Sequence, residues 1–180
     1  MTAYPQVSLM LCKETKMKEL LDKVSSYNIF NYLLPGIVFV VLVEKLTSFS
    51  FIQKDIILGV FLYYFIGLIV SRIGSLLIEP ILKKIKFIKF ASYPEYFSAS
   101  KSDVKLDVLS ETNNMYRTFC SLFLLLIIIK VYELIAKKIP VVDEWNAELL
   151  VVGLLFLFLF AYKKQTKYIA DIVSSNKGKV

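Results

Sequence analysis

The apolar residues of this chain are gathered into four long blocks, and the charged residues lie almost wholly between the blocks. A helix needs about 20 mostly apolar residues to cross the ~30 Å hydrocarbon core of a bilayer. A water-soluble domain has about 45–50% apolar residues, spread over short segments. Here the share is 57%. The pattern predicts an all-α membrane protein with four transmembrane helices.

The predicted spans differ in length and in the residues that interrupt them. They cover residues of about 29–46, 56–78, 116–136 and 147–162. Pro35 and Gly36 fall in the first span, where membrane helices tolerate them if neighbouring helices compensate. Pro80 is expected to bend or interrupt the helix that continues from the second span. The fourth span is short, so it needs its flanking residues or a thinned bilayer to cross.

Lysine and arginine placement sets the expected orientation, because cytoplasmic flanks carry an excess of these residues. Here they concentrate outside the spans, in the segments 1–28, 79–115 and 163–180. The two other connections are short and contain acidic residues beside their lysines. With an even number of spans, all three basic segments fall on one side. Both termini of the chain are therefore predicted to be cytoplasmic, and so is the long loop of the transmembrane domain (29–162). Membrane lipids are predicted partners of this domain.

An apolar stripe precedes the first span. Met17, Leu20, Leu21 and Val24 share one helical face. Two interpretations are equally open: an amphipathic helix that lies along the inner leaflet, or a helix packed on the cytoplasmic loop. The first span is longer than the apolar region of a signal peptide and no clear A-x-A-like site follows it. We therefore expect it to remain as an anchor.

Four of the charged side chains within the predicted spans or at their ends are candidate functional residues. Arg72 and Glu79 are seven residues apart near the inner end of the second span. For Arg72, snorkelling to the headgroups is favoured over a buried ion pair or a gate. Lys130 and Glu133 are predicted to pair locally rather than to form a proton or ion path, because opposite charges three apart meet on a helix. The central turns carry almost no polar groups, which disfavours a selective transporter.

Small residues recur every four positions on the second span, at Gly67, Ser71 and Ser75. Such spacing lets two helix backbones approach closely. The pattern predicts tight helix packing, either within the chain or between the subunits of a homo-oligomer, and does not distinguish the two.

Lysines alternate with apolar side chains just after the second span. Each lysine near an anionic leaflet contributes about 1 kcal/mol to membrane binding. Anionic lipid contact is therefore predicted at Lys83, Lys84, Lys86 and Lys89. Direct nucleic-acid binding is not needed to explain this charge.

The long loop, about 90–114, is the only sizeable polar surface of the sequence. Its aromatic residues and a β-like alternation predict docking of a soluble cytoplasmic protein, including by a strand edge. Ser110, Glu111 and Thr112 are predicted to cap the helix of the third span. The predicted docking residues are Tyr93, Tyr96, Phe97, Val104, Leu106 and Val108.

No catalytic pattern is present in the sequence. There is no histidine, and the two cysteines, Cys12 and Cys120, are far apart. No GxSxG elbow, HExxH pair, P-loop or Rossmann glycine pattern occurs. We therefore expect a non-enzymatic protein, with no catalytic residues, no metal and no cofactor.

Three segments carry a resemblance to known proteins: SYNIFNYLLPGIVF (26–39), SRIGSLLIEPILKKIKFIKFA (71–91) and LSETNNMYRT (109–118). They resemble recurring segments of small four-span bacterial proteins from antiphage defence islands. The membrane subunit of the Kiwa system and the four-helix membrane accessories of CRISPR systems are such proteins. The resemblance implies an oligomer in the bacterial inner membrane that works with a soluble cytoplasmic effector. In Kiwa, the membrane subunit is associated with sensing phage attack. The resemblance implies no catalytic residues.

Two functions fit these features. The first is a membrane sensor or scaffold that oligomerises and recruits a soluble effector. The alternative is a pore-forming or depolarising effector of the same kind of defence system. A small transporter is a weaker third option because the centre of the spans is apolar.

Overall fold

The structure is a computed structural model, and it describes residues 27–103, 105–138 and 145–177. Every regular element in these ranges is a helix. The helices are α1 (Ile29–Leu46), α2 (Ile56–Lys84), α3 (Tyr93–Ser100), α4 (Lys105–Ala136) and α5 (Asn146–Lys177). The all-α prediction is confirmed for this part of the chain. The predicted amphipathic helix around Met17 and the docking residue Val104 lie outside the described residues.

Three of the described helices, α1, α2 and α4, are long and apolar enough to cross a membrane. They contain the first three predicted spans. The fourth predicted span lies within α5, and its crossing stays a prediction, as does the orientation of all four.

Two π-helical turns accommodate the prolines of α1 and α2. The turns are Ile29–Leu33 and Gly74–Ile78, and Pro35 and Pro80 follow them closely. Proline lacks the amide hydrogen and its ring clashes with the carbonyl four residues earlier. A wider turn relieves that clash and redirects the freed carbonyls. The helix of α2 therefore passes through Pro80 without interruption.

Helices α1 and α2 cross in backbone contact at Gly36 and Gly67. A Cβ atom on Gly36 would overlap the carbonyl oxygen of Tyr63, and one on Gly67 would overlap that of Tyr32. No side chain fits at either position, so this crossing requires glycine from both helices.

The core lies between α1, α2 and α4. Its fully buried apolar side chains include Val43 of α1, Val70 of α2 and Leu122 of α4. Helix α5 packs differently, because none of its side chains that the structure describes is buried. It contacts α2 through a ring stack of Phe158 on the exposed Phe65, with centroids 6.1 Å apart.

The predicted loop between α2 and α4 is largely helical. Helix α3 begins with a capping box, in which the Ser92 amide donates to Glu95 Oε2 at 2.9 Å. Helix α4 already begins at Lys105, whose amide donates to Asp103 Oδ1 at 2.9 Å.

Two sequence predictions for this region are therefore wrong. Leu106 and Val108 lie in a helix, not in a β-like segment, and residues 110–112 lie inside α4 rather than at its cap. Asp103, just upstream, caps this helix. No proline or glycine interrupts residues 105–136, so the mostly polar residues 105–115 and the apolar residues of the predicted third span form one continuous helix.

Candidate functional site

Glu79, near the end of α2, is surrounded by cations from three helices. Its Oε2 accepts from the guanidinium of Arg117 in α4 at 2.7 Å. Its Oε1 accepts from Lys83 of its own helix at 2.8 Å and lies 3.7 Å from the ammonium of Lys164 in α5. The Glu79 side chain is only 12% exposed, and a carboxylate withdrawn from water needs such partners. We call these four residues the Glu79 cluster.

The Glu79 cluster contains more positive than negative charge. Three cations face one carboxylate, so two positive charges remain unbalanced within it. Within the described part of the chain, the buried Arg117 Nε has no hydrogen-bond partner. Chemically, the cluster holds three helices together and can also accept a further anionic group.

Lys164 reaches the cluster by folding back onto α2. Its ammonium donates to the Ser75 carbonyl and to the Ser75 hydroxyl, both at 2.7 Å. Burial lowers the pKa of Lys164 below its ordinary value, while Glu79 acts in the opposite direction. This contact fixes the level of α5 against α2.

The small residues of α2 each face a different helix of the same chain. Gly67 contacts α1 at Tyr32. The buried Ser71 hydroxyl lies 3.3 Å from that of Thr118 in α4, and Ser75 accepts from Lys164 of α5. These three positions thus lie at contacts within the chain, and their role in homo-oligomers stays a prediction.

Arg72 and Glu79 do not pair with each other. The Arg72 guanidinium donates to the hydroxyl of Tyr32 in α1 at 3.2 Å. Tyr32 also makes edge contacts with Tyr27 and Tyr64, with ring centroids 5.7 and 5.6 Å apart. The partner of Arg72 therefore comes from another helix, which the spacing along α2 did not reveal.

A second carboxylate, Glu133, lies at the opposite end of α4. It accepts from Lys130 at 2.8 Å and from Lys137 at 2.9 Å. The Ser48 amide donates to it at 3.2 Å, and Lys130 also donates to the carbonyl of Leu46 at 2.7 Å. We call Glu133 with its two lysines the Glu133 cluster; it joins α4 to the end of α1.

The predicted lipid-contact lysines surround the end of α2. Lys84, Lys86 and Lys89 are exposed, and the ammonium of Lys83 lies 4.1 Å from the centroid of the Phe90 ring. Exposed Ile85 and Phe87 alternate with them, so this segment presents basic and apolar groups together.

The predicted docking residues divide between α3 and the start of α4. Tyr96 and Phe97 are half-buried on α3, and the Lys101 ammonium lies 4.3 Å from the centroid of the Phe97 ring. Leu106 is half-buried and Val108 is exposed on α4. Of Tyr93, only its position as first residue of α3 is described.

Sequence reasoning did not place Arg117 and Lys164 in a site. Lys164 counted only as part of a basic segment, and Arg117 was not singled out, because a basic residue beside a span is ordinary. The depth of these residues in the membrane was the available signal. Arg117 lies at the start of the third predicted span and Lys164 just after the fourth, so the predicted topology already put both at the level of Glu79.

Protein-family models, curated proteins and solved structures show no match to this chain, and its function is therefore inferred from its own residues and contacts.

Proposed function

We propose that this chain is a non-enzymatic sensor and scaffold subunit of a bacterial antiphage defence system. It crosses the inner membrane four times, with both termini and the α2–α4 connection in the cytoplasm. It forms homo-oligomers and recruits a soluble cytoplasmic effector.

The Glu79 cluster is the observation that carries this proposal. It brings the end of α2, the beginning of α4 and the later part of α5 to one level. The Glu133 cluster brings the ends of α1 and α4 to the opposite level. Helices that alternate in direction in this way support an even number of crossings. The three basic segments then share the side of Glu79.

Helices project past the predicted membrane boundary on this side. The part of α4 before residue 116 extends about 16 Å, and the part of α5 after residue 162 extends about 22 Å, at 1.5 Å per residue. Together with α3 they form a cytoplasmic platform. Its exposed apolar residues, such as Val108, suit contact with a folded partner.

Glu79 joins α2, α4 and α5 at the level where the platform helices leave the predicted spans. If the membrane is deformed and α2, α4 or α5 shifts, the cations around Glu79 must rearrange, and the projecting helices move with them. The cluster supplies the coupling between membrane state and platform that a sensor requires.

The test is phage plating on bacteria that produce the chain together with the products of its neighbouring genes. We expect protection to require the chain and to be lost in Val108→Glu, which places a charge on the platform. Leu109→Glu is the matched control, because this neighbouring side chain is similarly exposed on another side of α4. Full protection without the chain would contradict the proposal.

A pore-forming or depolarising effector is the second candidate. The loose packing of α5, whose described side chains include none that is buried, favours it, since repacking this helix in an oligomer would expose little buried apolar surface. This function predicts that a membrane-potential dye reports depolarisation on phage infection before any effector acts. A stable potential in infected cells would reject it.

A further inference from the structure

A large cavity lies between α2 and α5. Its volume is about 1080 Å³, slightly above the roughly 300–1,000 Å³ range of small-molecule sites. Its walls are almost entirely apolar along most of its length, and include Leu62, Phe65 and Ile69 of α2 with Leu150, Leu154 and Leu157 of α5.

One end of this cavity is basic. Lys163, Lys164 and Lys167 line it there, on successive turns of α5. Lys163 and Lys167 are exposed, while Lys164 is held in place by Ser75. The cavity is therefore amphipathic along its length, apolar for most of α5 and cationic at the level of the Glu79 cluster.

We propose that this cavity binds one anionic phospholipid of the bilayer, with its acyl chains along the apolar walls and its phosphate at Lys163, Lys164 and Lys167. The site is separate from the predicted lysine contacts after α2, and it does not depend on a role in defence.

The dimensions of the cavity fit this occupant. From Leu150 to Lys164 the axis of α5 rises about 21 Å at 1.5 Å per residue. The hydrocarbon of one leaflet is about 15 Å thick, half of the ~30 Å core. The lining therefore spans one layer of acyl chain and reaches the headgroup level, where the lysines lie.

The charges favour an anionic headgroup over a neutral one. Ammonium groups donate strong hydrogen bonds to phosphate oxygens. Glu79, the carboxylate next to Lys164, is already paired with Arg117 and Lys83, so it does not neutralise the three lysines of α5. A lipid with a net negative charge is attracted by this excess of positive charge, whereas the cationic group of a zwitterionic lipid is repelled by it.

Two variants of the full-length chain test separately the positive charge of the proposed site and the free volume of the cavity. Lys163→Gln/Lys167→Gln removes two of the cationic groups and leaves the Lys164–Ser75 contact intact. Gly153→Phe fills the cavity instead, because nothing lies within 4 Å of a Cβ built on Gly153. Lys54→Gln/Lys138→Gln is the matched control, with the same charge change at exposed lysines outside both the cavity and the predicted lipid-contact segment after α2.

Native mass spectrometry in detergent, with added phosphatidylglycerol or phosphatidylethanolamine, gives the readout. The wild-type chain and the control should each retain one phosphatidylglycerol per chain and hold it more tightly than phosphatidylethanolamine. The double lysine variant should bind phosphatidylglycerol about tenfold or more weakly, since each lysine contributes about one kcal/mol and 1.4 kcal/mol is tenfold. The Gly153→Phe variant should lose this bound lipid.

Three results would overturn the proposal. One is equal retention of both lipids by the wild-type chain. Another is equal weakening in the control and in Lys163→Gln/Lys167→Gln. The third is a Gly153→Phe variant that keeps its lipid but falls to a smaller oligomer, because a second copy of the chain would then be the occupant.

Discussion

The two carboxylate clusters lie at opposite ends of the molecule and are built differently. Glu133 pairs with Lys130 of its own helix and with Lys137, the residue just after the end of that helix, and it is linked to the end of α1 only through backbone groups. Glu79 takes cations from α2, α4 and α5. The Glu133 cluster is thus mainly a local feature of one helix end, whereas the Glu79 cluster holds three helices in register.

The loss of the carboxylate therefore has different effects in the two clusters. A local ion pair on one helix contributes a few tenths of a kcal/mol, and its loss leaves the other helices in place. A shared carboxylate cannot be removed without leaving several cations facing one another. At the Glu79 end of the molecule, a displacement of one helix therefore also displaces the neighbouring helices.

The largest effect is expected from Gly67→Leu, which disturbs the frame that both clusters share. The new side chain overlaps the backbone of α1 at Tyr32, so α1 must move away from α2. Overpacking costs about 1–3 kcal/mol and occasionally more, and we expect about 3 kcal/mol or more here because the overlap is with backbone rather than with a movable side chain. Thermal unfolding of the delipidated chain in detergent measures the loss, and Gly153→Leu is the control, since nothing lies within 4 Å of a Cβ at that glycine.

Glu79→Gln should have the next largest effect and separates the two clusters. Removing one partner of a buried pair costs about 3–5 kcal/mol, and we expect about 2–3 kcal/mol here because Lys83 and Lys164 are partly exposed. The same unfolding measurement applies. Protection against limited proteolysis of α5 should fall too, because Lys164 loses its carboxylate.

Glu133→Gln should cost less, about 1.5 kcal/mol, the low end of the range for hydrogen bonds to charged groups, although its side chain is only 5% exposed and that of Glu79 is 12% exposed. The amide oxygen of glutamine still accepts from the Ser48 amide, and both lysines reach water. A loss in Glu133→Gln equal to or greater than that in Glu79→Gln, under identical conditions, would contradict the distinction between the clusters.

The smallest effect concerns the pH dependence of α3. The backbone and side chain of Ser92 donate to Glu95 and hold the pKa of its carboxyl below the ordinary value. The stability that this cap gives α3 is present above the ordinary pKa of glutamate and is lost as the pH falls through the lowered value. Hydrogen exchange of α3 should therefore accelerate in acid relative to its intrinsic rate. Glu95→Gln should remove that dependence, and an unchanged pH response in this variant would show that another group causes it.

Helix positions were predictable where the apolar blocks lie, but helix ends were not. The apolar block identifies the part of α4 within the predicted third span. The preceding residues, from Lys105, are mostly polar, and the apolar ones at their start alternate as in a strand, although nothing among them breaks a helix. Tertiary contact with α3 and a cap at Asp103 therefore decided where α4 begins.

Contacts between side chains were likewise predictable only where both residues lie on the same helix, as the two clusters show. Lys130 and Glu133 are three residues apart, so helical geometry alone brings them together. Arg117 and Glu79 are 38 positions apart, and their contact depends on how α2 packs against α4. The glycine and serine spacing on α2 predicted close packing, but only the three-dimensional structure assigns each small residue to a particular neighbour.

The most direct test of the account is the side of the membrane on which each cluster lies. Single cysteines at Lys54→Cys, Lys101→Cys and Lys167→Cys, in a chain with Cys12→Ser and Cys120→Ser, are exposed to a membrane-impermeant maleimide in spheroplasts. Four crossings with the Glu79 cluster in the cytoplasm predict labelling at position 54 alone, and labelling at 101 and 167 only after lysis. Labelling at 167 in intact spheroplasts would contradict the account, because α5 would then not cross.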